Sequence, residues 1–382
     1  MRDAAERREL ERSSGRRLGG MAGLAALTGL AWAARDVPLA LGGRLTGPRA
    51  ERAARSPQFR DGTFHNPPDA RSATAEPGRN LLWELFFGKQ KRRPSAPVPL
   101  LRPPAAPTDA EPGRELNVIW YGHASALVEI EGRRVLLDPV WSERCSPSAV
   151  VGPRRLHEPP VRLDELPALD AILISHDHYD HLDLPTVRAL LARQDAPFVV
   201  PLGVGAHLDR WGVPAERIIE LDWSESHRVG DLTLTATAAQ HFSGRGLRRD
   251  GTLWSSWVIA GEQRRVFYTG DSGYFAGYAA IGAEHGPFDV TLMQIGAYDR
   301  AWPSIHMYPE EAVAAHLDLR GGLFIPVHWA TFNLALHDWA EPVDRLWAEA
   351  KARDVRLAVP RPGERVPVDD PPPVDGWWQA VA

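Results

Sequence analysis

Between residues 171 and 183 the apolar run Ala171-Ile172-Leu173-Ile174 gives way at once to Ser175-His176-Asp177-His178-Tyr179-Asp180-His181-Leu182-Asp183. No other stretch constrains the chain so tightly. Continuous apolar residues behind the turn-prone Leu166-Pro167-Ala168-Leu169-Asp170 predict a strand buried on both faces. The polar cluster then falls where that strand leaves its sheet. In open α/β folds, ligands gather in the crevice outside the carboxyl ends of the strands. Imidazoles and carboxylates packed this closely repel and desolvate one another unless a cation offsets the cost. Neutral imidazole suits zinc, iron or manganese, and a carboxylate admits a second ion. His176 and His178 can turn to one ion while Asp180 and His181 face a neighbouring one. The alternative is a solvated loop that happens to be rich in histidine, and the buried strand directly before it argues against that.

The H-x-H-x-D-H motif from His176 to His181 resembles the signature of the metallo-β-lactamase fold superfamily, whose members are mostly two-metal hydrolases. That resemblance implies an α/β fold: an αβ/βα sandwich of two mixed sheets with helices outside, here joined by an irregular N-terminal arm. At 382 residues, 44% hydrophobic and 24% charged, the chain can build one large core with an extension. A formal net charge of -5 makes no electrostatic case for a nucleic-acid partner. The single cysteine, Cys145, excludes an internal disulfide framework and cysteine-rich metal sites, leaving His and Asp as ligands.

Residues 1–34 combine a charged stretch ending in Arg16-Arg17, an uncharged glycine-rich run and the triplet Ala31-Trp32-Ala33. They predict an export signal of twin-arginine character or a membrane anchor; a true start near Met21 and a cytoplasmic protein are the alternatives. Residues 35–115, rich in Pro, Arg and Ala, predict an extended arm laid over the domain. Within it, the segment Leu81–Arg93 places apolar and aromatic side chains just before Lys89, Lys91, Arg92 and Arg93. That composition suits peripheral contact with lipid headgroups, and equally a short docked helix with a solvated basic end.

Residues 116–360 carry the regular pattern of the hydrolase domain, with halves near 116–230 and 231–360. Val118 to Trp120, Ala126 to Ile130 and Arg134 to Leu137 predict consecutive strands, with His123 and Asp138 at strand ends as candidates for orienting metal ligands. Pro185 to Arg193, Phe198 to Val200 and Val204 to Trp211 continue in helix, strand, helix order. Later strands deliver Gln240-His241, Gly270-Asp271-Ser272-Gly273 and His328-Trp329. Another runs into Ala297-Tyr298, and a loop carrying His306 precedes the helix start Pro309-Glu310-Glu311. Candidate ligands at the ends of separate predicted strands are mutually consistent in a way chance seldom produces. His157, His207, His227, His285 and His316 lack such a context and read as packing or surface groups, whereas His337 follows the last ligand closely enough to line a pocket. Residues 361–382 read as a proline-rich tail.

Several segments are similar to one branch of the superfamily, the N-acylphosphatidylethanolamine-hydrolysing phospholipase D-like proteins. They are Ser175 to Asp183, Gln240-His241, Gly270 to Tyr274, Ile295 to Tyr298, Pro309 to Ala312 and His328 to Phe332. The resemblance runs from about Pro57 to Pro342 and implies a phospholipid substrate. The family cleaves the phosphodiester of an N-acylated phosphatidylethanolamine to an N-acylethanolamine and phosphatidic acid. Carried over by motif, His176, His178 and His241 bind one Zn2+; Asp180, His181 and His328 bind the other; Asp271 bridges both. Asp271, His306 and Asp180 become the catalytic candidates, with Tyr179, Tyr298 and His337 as candidates either to orient the ligands or to meet the substrate. The implied mechanism is in-line attack on phosphorus by a hydroxide held between the ions. The loop Asp299 to Ile305 is shorter than in the animal enzymes, and Ile305 and Met307 flank the histidine. Alternatives within the fold are hydrolysis of a lactone, a sugar phosphate or another phosphodiester. Alternatives of other classes are an iron-dependent redox enzyme and a non-catalytic metal-binding scaffold, the latter needing an incomplete ligand set.

Overall fold

The computed structural model describes residues 36–68, 83–84, 88–103, 115–246 and 248–382. The export-signal segment 1–34 lies outside the described residues, as do Leu81, Leu82 and 85–87 of the aromatic-basic segment. No described helix is long and apolar enough to cross a membrane.

Two short helices, α1 (Val37–Ala40) and α2 (Gly47–Ala54), open the arm, each with proline in its first turn where the missing N–H has no helical partner to lose. A hairpin of β1 (Phe59–Arg60) and β2 (Thr63–Phe64) follows. The domain begins with the meander β3 (Leu116–Gly122), β4 (Ser125–Ile130) and β5 (Arg133–Leu137). It continues through β6 (Ala171–Leu173), α3 (Leu184–Leu191), β7 (Phe198–Pro201), α4 (Gly205–Arg210) and β8 (Ile218–Leu221). The second half contains β9 (Ser226–Val229), β10 (Leu232–Thr237), β11 (Ser256–Ala260), β12 (Arg265–Tyr268), α5 (Gly277–His285) and β13 (Phe288–Gln294). Then come α6 (Pro309–Asp318), β14 (Gly321–Val327), α7 (Glu341–Ala352), β15 (Arg356–Leu357) and β16 (Arg365–Pro367).

These strands form two seven-stranded mixed sheets, ordered β16-β3-β4-β5-β6-β7-β8 and β15-β14-β13-β12-β11-β10-β9. Each is antiparallel on one side and parallel on the other, with β5-β6-β7-β8 and β12-β13-β14-β15 the parallel runs. This is the αβ/βα sandwich expected. The period of two along a strand assigns each side chain to a layer. On β3, Val118 and Trp120 join the core shared with the second sheet, while Ile119 and Tyr121 face the layer of α3 and α4 with Val187, Leu190 and Leu208. Because helices cover the parallel strands, Ile172 and Leu173 are both fully buried, which explains the uninterrupted apolar run before the histidine loop. All parallel strands of both sheets end on one side of the sandwich, and the histidines and aspartates are delivered there.

One helix carries no signal in the sequence pattern, and one sequence expectation needs correction. Helix α5 was absent from the pattern because Gly277 and Gly282 weaken its helical signal; packing against α6 overrides propensity there. Residues 361–382 are not a tail. β16 is the edge strand of its sheet and pairs antiparallel with β3, with Val366 opposite Val118, and Pro367 is tolerated because it ends that edge strand. Trp378 is fully buried, and its ring lies 6.3 Å from Trp329 and 5.4 Å from Trp347. Trp378→Ala is therefore expected to cost about 3–5 kcal/mol of stability, the usual range for truncating a buried aromatic; a urea-unfolding midpoint unchanged from the parent would refute this packing role.

Candidate metal centre

The loop after β6 is held before it can ligate anything. Asp138, fully buried at the end of β5, accepts from Ser175 N at 2.7 Å, from Ser175 Oγ at 2.5 Å and from Tyr268 Oη at 2.5 Å. Its Oδ2 also receives Nδ1–H of His181 at 2.7 Å, turning Nε2 of that ring into the cluster. At the far end of the loop, Asp183 caps α3 and accepts from Ser142 Oγ at 2.7 Å. Capping by a short acidic side chain is ordinary helix chemistry; here it also fixes where the loop stops.

The other rings are set the same way. His176 donates from Nδ1 to Ser175 Oγ at 2.9 Å, and His241 donates from Nδ1 to Ile305 O at 2.9 Å. Each therefore presents Nε2 as a lone pair, the second-nitrogen anchoring common to histidines that ligate metals. Nε2 of His176 stands 2.8 Å from Nδ1 of His178, which is 3.2 Å from Nε2 of His241. Asp271 Oδ2 lies 3.0 Å from His181 Nε2 and 3.1 Å from His328 Nε2, but 3.9 Å from His176 and 3.8 Å from His241. Asp180 Oδ2 is 3.2 Å from His328 Nε2 and 3.5 Å from His181 Nε2. Atoms bound at about 2.1 Å around one tetrahedral ion stand about 3.4 Å from each other, so this spacing fits two adjoining cation sites sharing Asp271.

Orphaned atoms point the same way. Among the described residues, His181 Nε2, Asp271 Oδ1 and His306 Nδ1 are buried without a hydrogen-bond partner, a state that native structures rarely leave uncompensated. Backbone strain gathers there too: His123, Asp138, Ala297 and His328 take left-handed φ of 51, 36, 62 and 63°, at a cost of order 1–3 kcal/mol each.

Burial alone would raise the carboxyl pKa of Asp271, yet His181, His328 and His306 hold it well below its ordinary value. Asp180 is likewise held low against burial, chiefly by His181. Burial would lower His181, but Asp271 and Asp180 push it well above the ordinary range. His176 and His241 go down, mainly through burial. A metal-free cluster thus divides into charged and neutral members.

The remaining candidates sit around this centre. His123 Nε2 is 2.9 Å from Asp180 Oδ2, and its ring is 4.0 Å from that of His328. His306 lies at the lip, with Nδ1 4.0 Å from Asp271 Oδ2. Tyr298 stacks on His337 at 4.7 Å and donates to Glu341. His337 accepts from Ala297 N and borders both a narrow cleft reaching His123 and His328 and an open cavity of about 770 Å³ lined by Tyr298, Tyr308 and Arg345. Tyr179 turns away from the cluster and donates to Arg245 O at 2.6 Å. His207, expected as packing or surface, is buried and meets Asp177 at 3.2 Å. Sequence reasoning missed Asn66, whose side chain accepts from His241 N and donates to His241 O, both at 2.8 Å. Nothing local to residue 66 signals that role, because the partner is 175 positions away.

Four buried histidines are depressed mainly by desolvation: His123 to about 3, and His157, His306 and His316 to about 4. Between pH 4 and about 6.5 the unfolded chain therefore binds more protons than the native one, so stability increases with pH through this window and is lost on acidification. His181 and His328 are shifted upward, so they oppose this trend, but only near the upper end of the window where the unfolded chain begins to lose its protons. The metal-free protein should be less stable to urea at pH 5 than at pH 6.5, by on the order of a few kcal/mol; equal midpoints would contradict the buried neutral assignment.

Comparison with known proteins places this centre in context. The model of the beta-lactamase superfamily domain matches residues 133–329. An uncharacterised protein of Mycobacterium tuberculosis is 53% identical over 365 residues, 94% of this chain and 97% of the relative. The N-acyl-phosphatidylethanolamine-hydrolyzing phospholipase D 1 of Caenorhabditis elegans is 33% identical over 312 residues, 76% of this chain and 87% of that protein. Among solved structures, a metallo hydrolase of the archaeon Ignicoccus hospitalis aligns with a TM-score of 0.51 at 23% identity, over 66% of this chain and 97% of that one.

Proposed function

Because the chain belongs to the β-lactamase superfamily, in its N-acyl-phosphatidylethanolamine-hydrolysing phospholipase D-like branch, and is a metal-dependent hydrolase, we propose that its substrate is an N-acylated phosphatidylethanolamine. Water adds to phosphorus, the bond from phosphorus to the ethanolamide oxygen breaks, and phosphatidic acid and an N-acylethanolamine leave. The observation that carries this reading is the convergence of His241, Asp271 and His328, from three separate strand ends, on the loop from His176 to His181.

In this reading His176, His178 and His241 would hold one Zn2+, Asp180, His181 and His328 would hold a second, and Asp271 would be available to both. Divalent ions bound there lower the pKa of water toward neutrality and offset charge on the phosphoryl oxygens. Asp271, kept ionised by its imidazole neighbours, is the group able to accept the proton of the attacking water. That proton ends on the departing ethanolamide oxygen, and His306, neutral because burial depresses it to about 4 and with Nδ1 4.0 Å from Asp271 Oδ2, is the candidate to pass it along. Asp138 keeps the His181 ring aimed inward, and His123 restrains Asp180. The cavity beside Tyr298 and His337, of about 770 Å³, offers room for the headgroup. Peripheral lipid contact through Leu81–Arg93 belongs to the same proposal: Trp83 is 61% exposed, while Lys91 N and O pair with Asp338 and Trp339, so the basic end is moored to the body.

Zinc quantification followed by a phospholipid panel tests the reading, with zinc uptake and ethanolamide release expected. Metal uptake without lipid cleavage, or cleavage of only a soluble lactone or phosphodiester, would replace the substrate and keep the hydrolase. Asp271→Asn and His181→Ala should abolish turnover while the metal-free chain still unfolds cooperatively; full activity in either refutes the ligand assignment. His306→Gln should lower kcat about 10²–10⁴-fold with metal content unchanged, the usual range for a proton-transfer group.

A further inference from the structure

Outside the ligands themselves, a second buried polar assembly lies behind the histidine loop, and its centre is Arg245. This side chain follows His241 by four residues, is 4% exposed, and among the described residues has no carboxylate partner within ion-pair distance. Its Nη1 instead donates to two carbonyls of the histidine loop, Asp177 O at 2.6 Å and Leu182 O at 2.7 Å. Its Nε donates to Ala40 O of the N-terminal arm at 2.9 Å. The guanidinium is sandwiched between the rings of Tyr179, at 4.1 Å, and Trp211, at 4.9 Å. The contacts are reciprocal: Tyr179 Oη donates to Arg245 O, and Gly244 N donates to Asp177 Oδ1 at 2.7 Å. His207 extends the assembly, since its Nδ1 accepts from Gly43 N at 3.0 Å and Nε2–H therefore faces Asp177 Oδ2 at 3.2 Å.

Asp177 and Leu182 bracket the backbone of His178, Asp180 and His181. Within the loop the backbone bonds are two turn contacts onto His178 O, from His181 N at 3.1 Å and Leu182 N at 2.8 Å, so the carbonyls of Asp177 and Leu182 are tied from outside it. Nη1 reaching two carbonyls five residues apart supplies that tie while Nε holds Ala40 O, and a compact ammonium cannot match the spread between the two nitrogens. Because Arg245 sits on the segment that also carries His241, the same side chain couples two ligand-bearing loops to each other and both to the arm.

We propose that Arg245 is a positioning residue of the metal centre, acting through the backbone of residues 177–182, and that the arm around Ala40 to Gly43 completes this support. This rests on the ligand assignment made above. The test uses the full chain with zinc as the only probe, measuring zinc affinity by competition with a chromophoric chelator and, separately, unfolding of the metal-free protein. Arg245→Met should weaken zinc binding about 10- to 100-fold, the range typical of groups that orient metal ligands. Arg245→Lys should recover part of the loss. Tyr179→Phe, which keeps the ring under the guanidinium and removes only its hydroxyl bond, should weaken zinc by a smaller factor with metal-free stability little changed. Wild-type zinc affinity in a folded Arg245→Met, or a loss confined to metal-free stability, overturns the proposal. If Arg245→Met does not fold, unchanged zinc affinity in Tyr179→Phe overturns it. A parent protein that takes up no zinc overturns the ligand assignment itself, and this inference with it.

Discussion

Seven side chains with lone pairs or negative charge face one small volume from which water is largely excluded. Among the described residues Asp271, His181 and His328 are almost wholly buried, and the nitrogens of His176 and His178 approach to 2.8 Å. Protons resolve this crowding only in part, because a proton on one ring raises the cost of a proton on the next; the opposite displacements of His176 and His181 show it. A divalent cation resolves all of it, since neutral nitrogen and ionised oxygen are the donor states it needs. Much of the remaining structure is organised to keep these donors from relaxing apart.

That work is divided between two kinds of support. The sheets supply position: the parallel strands β6, β12 and β14 end on one side of the sandwich, and β10, antiparallel to its neighbour β11, runs in the same direction as β12, so all four release their following residues toward the same crevice. Hydrogen bonds supply orientation. Asp138 receives Ser175, His181 and Tyr268 together, so strand ends from both sheets meet on one carboxylate. The left-handed backbone at His123, Asp138 and His328 is sustained because the surrounding bonds over-determine it. Arg245 and Asn66 add the arm to this scaffold, so residues 36–68 contribute to the centre although none of them is a candidate ligand.

The division also clarifies which residues act on substrate and which act on other residues. Tyr179 and His123 both fall near the ligands in sequence or space. Tyr179 bonds the backbone of residue 245 and faces away from the crevice, whereas His123 touches Asp180 directly. Tyr298 and His337 form one wall of the cavity and join the cluster through Ala297, at the end of β13. Proximity in sequence to a metal ligand is thus a poor guide to role; the direction of the side chain decides.

The histidine loop, the strand before it and the later His241, Asp271 and His328 were legible in the linear chain because each is a local event: an apolar run of period set by its layer, followed at once by a donor. The sandwich class follows from the same local signals taken in order. Arg245, Asn66 and the buried Trp377-Trp378 pair were not legible, since their partners lie 63 to 205 positions away or, for the tryptophans, in a sheet whose edge is known only after folding. Sequence alone therefore determined which atoms can bind a cation. Tertiary structure decided how those atoms are aimed and what holds them, because orientation depends on hydrogen bonds between segments that only the closed sandwich brings within 3 Å of each other.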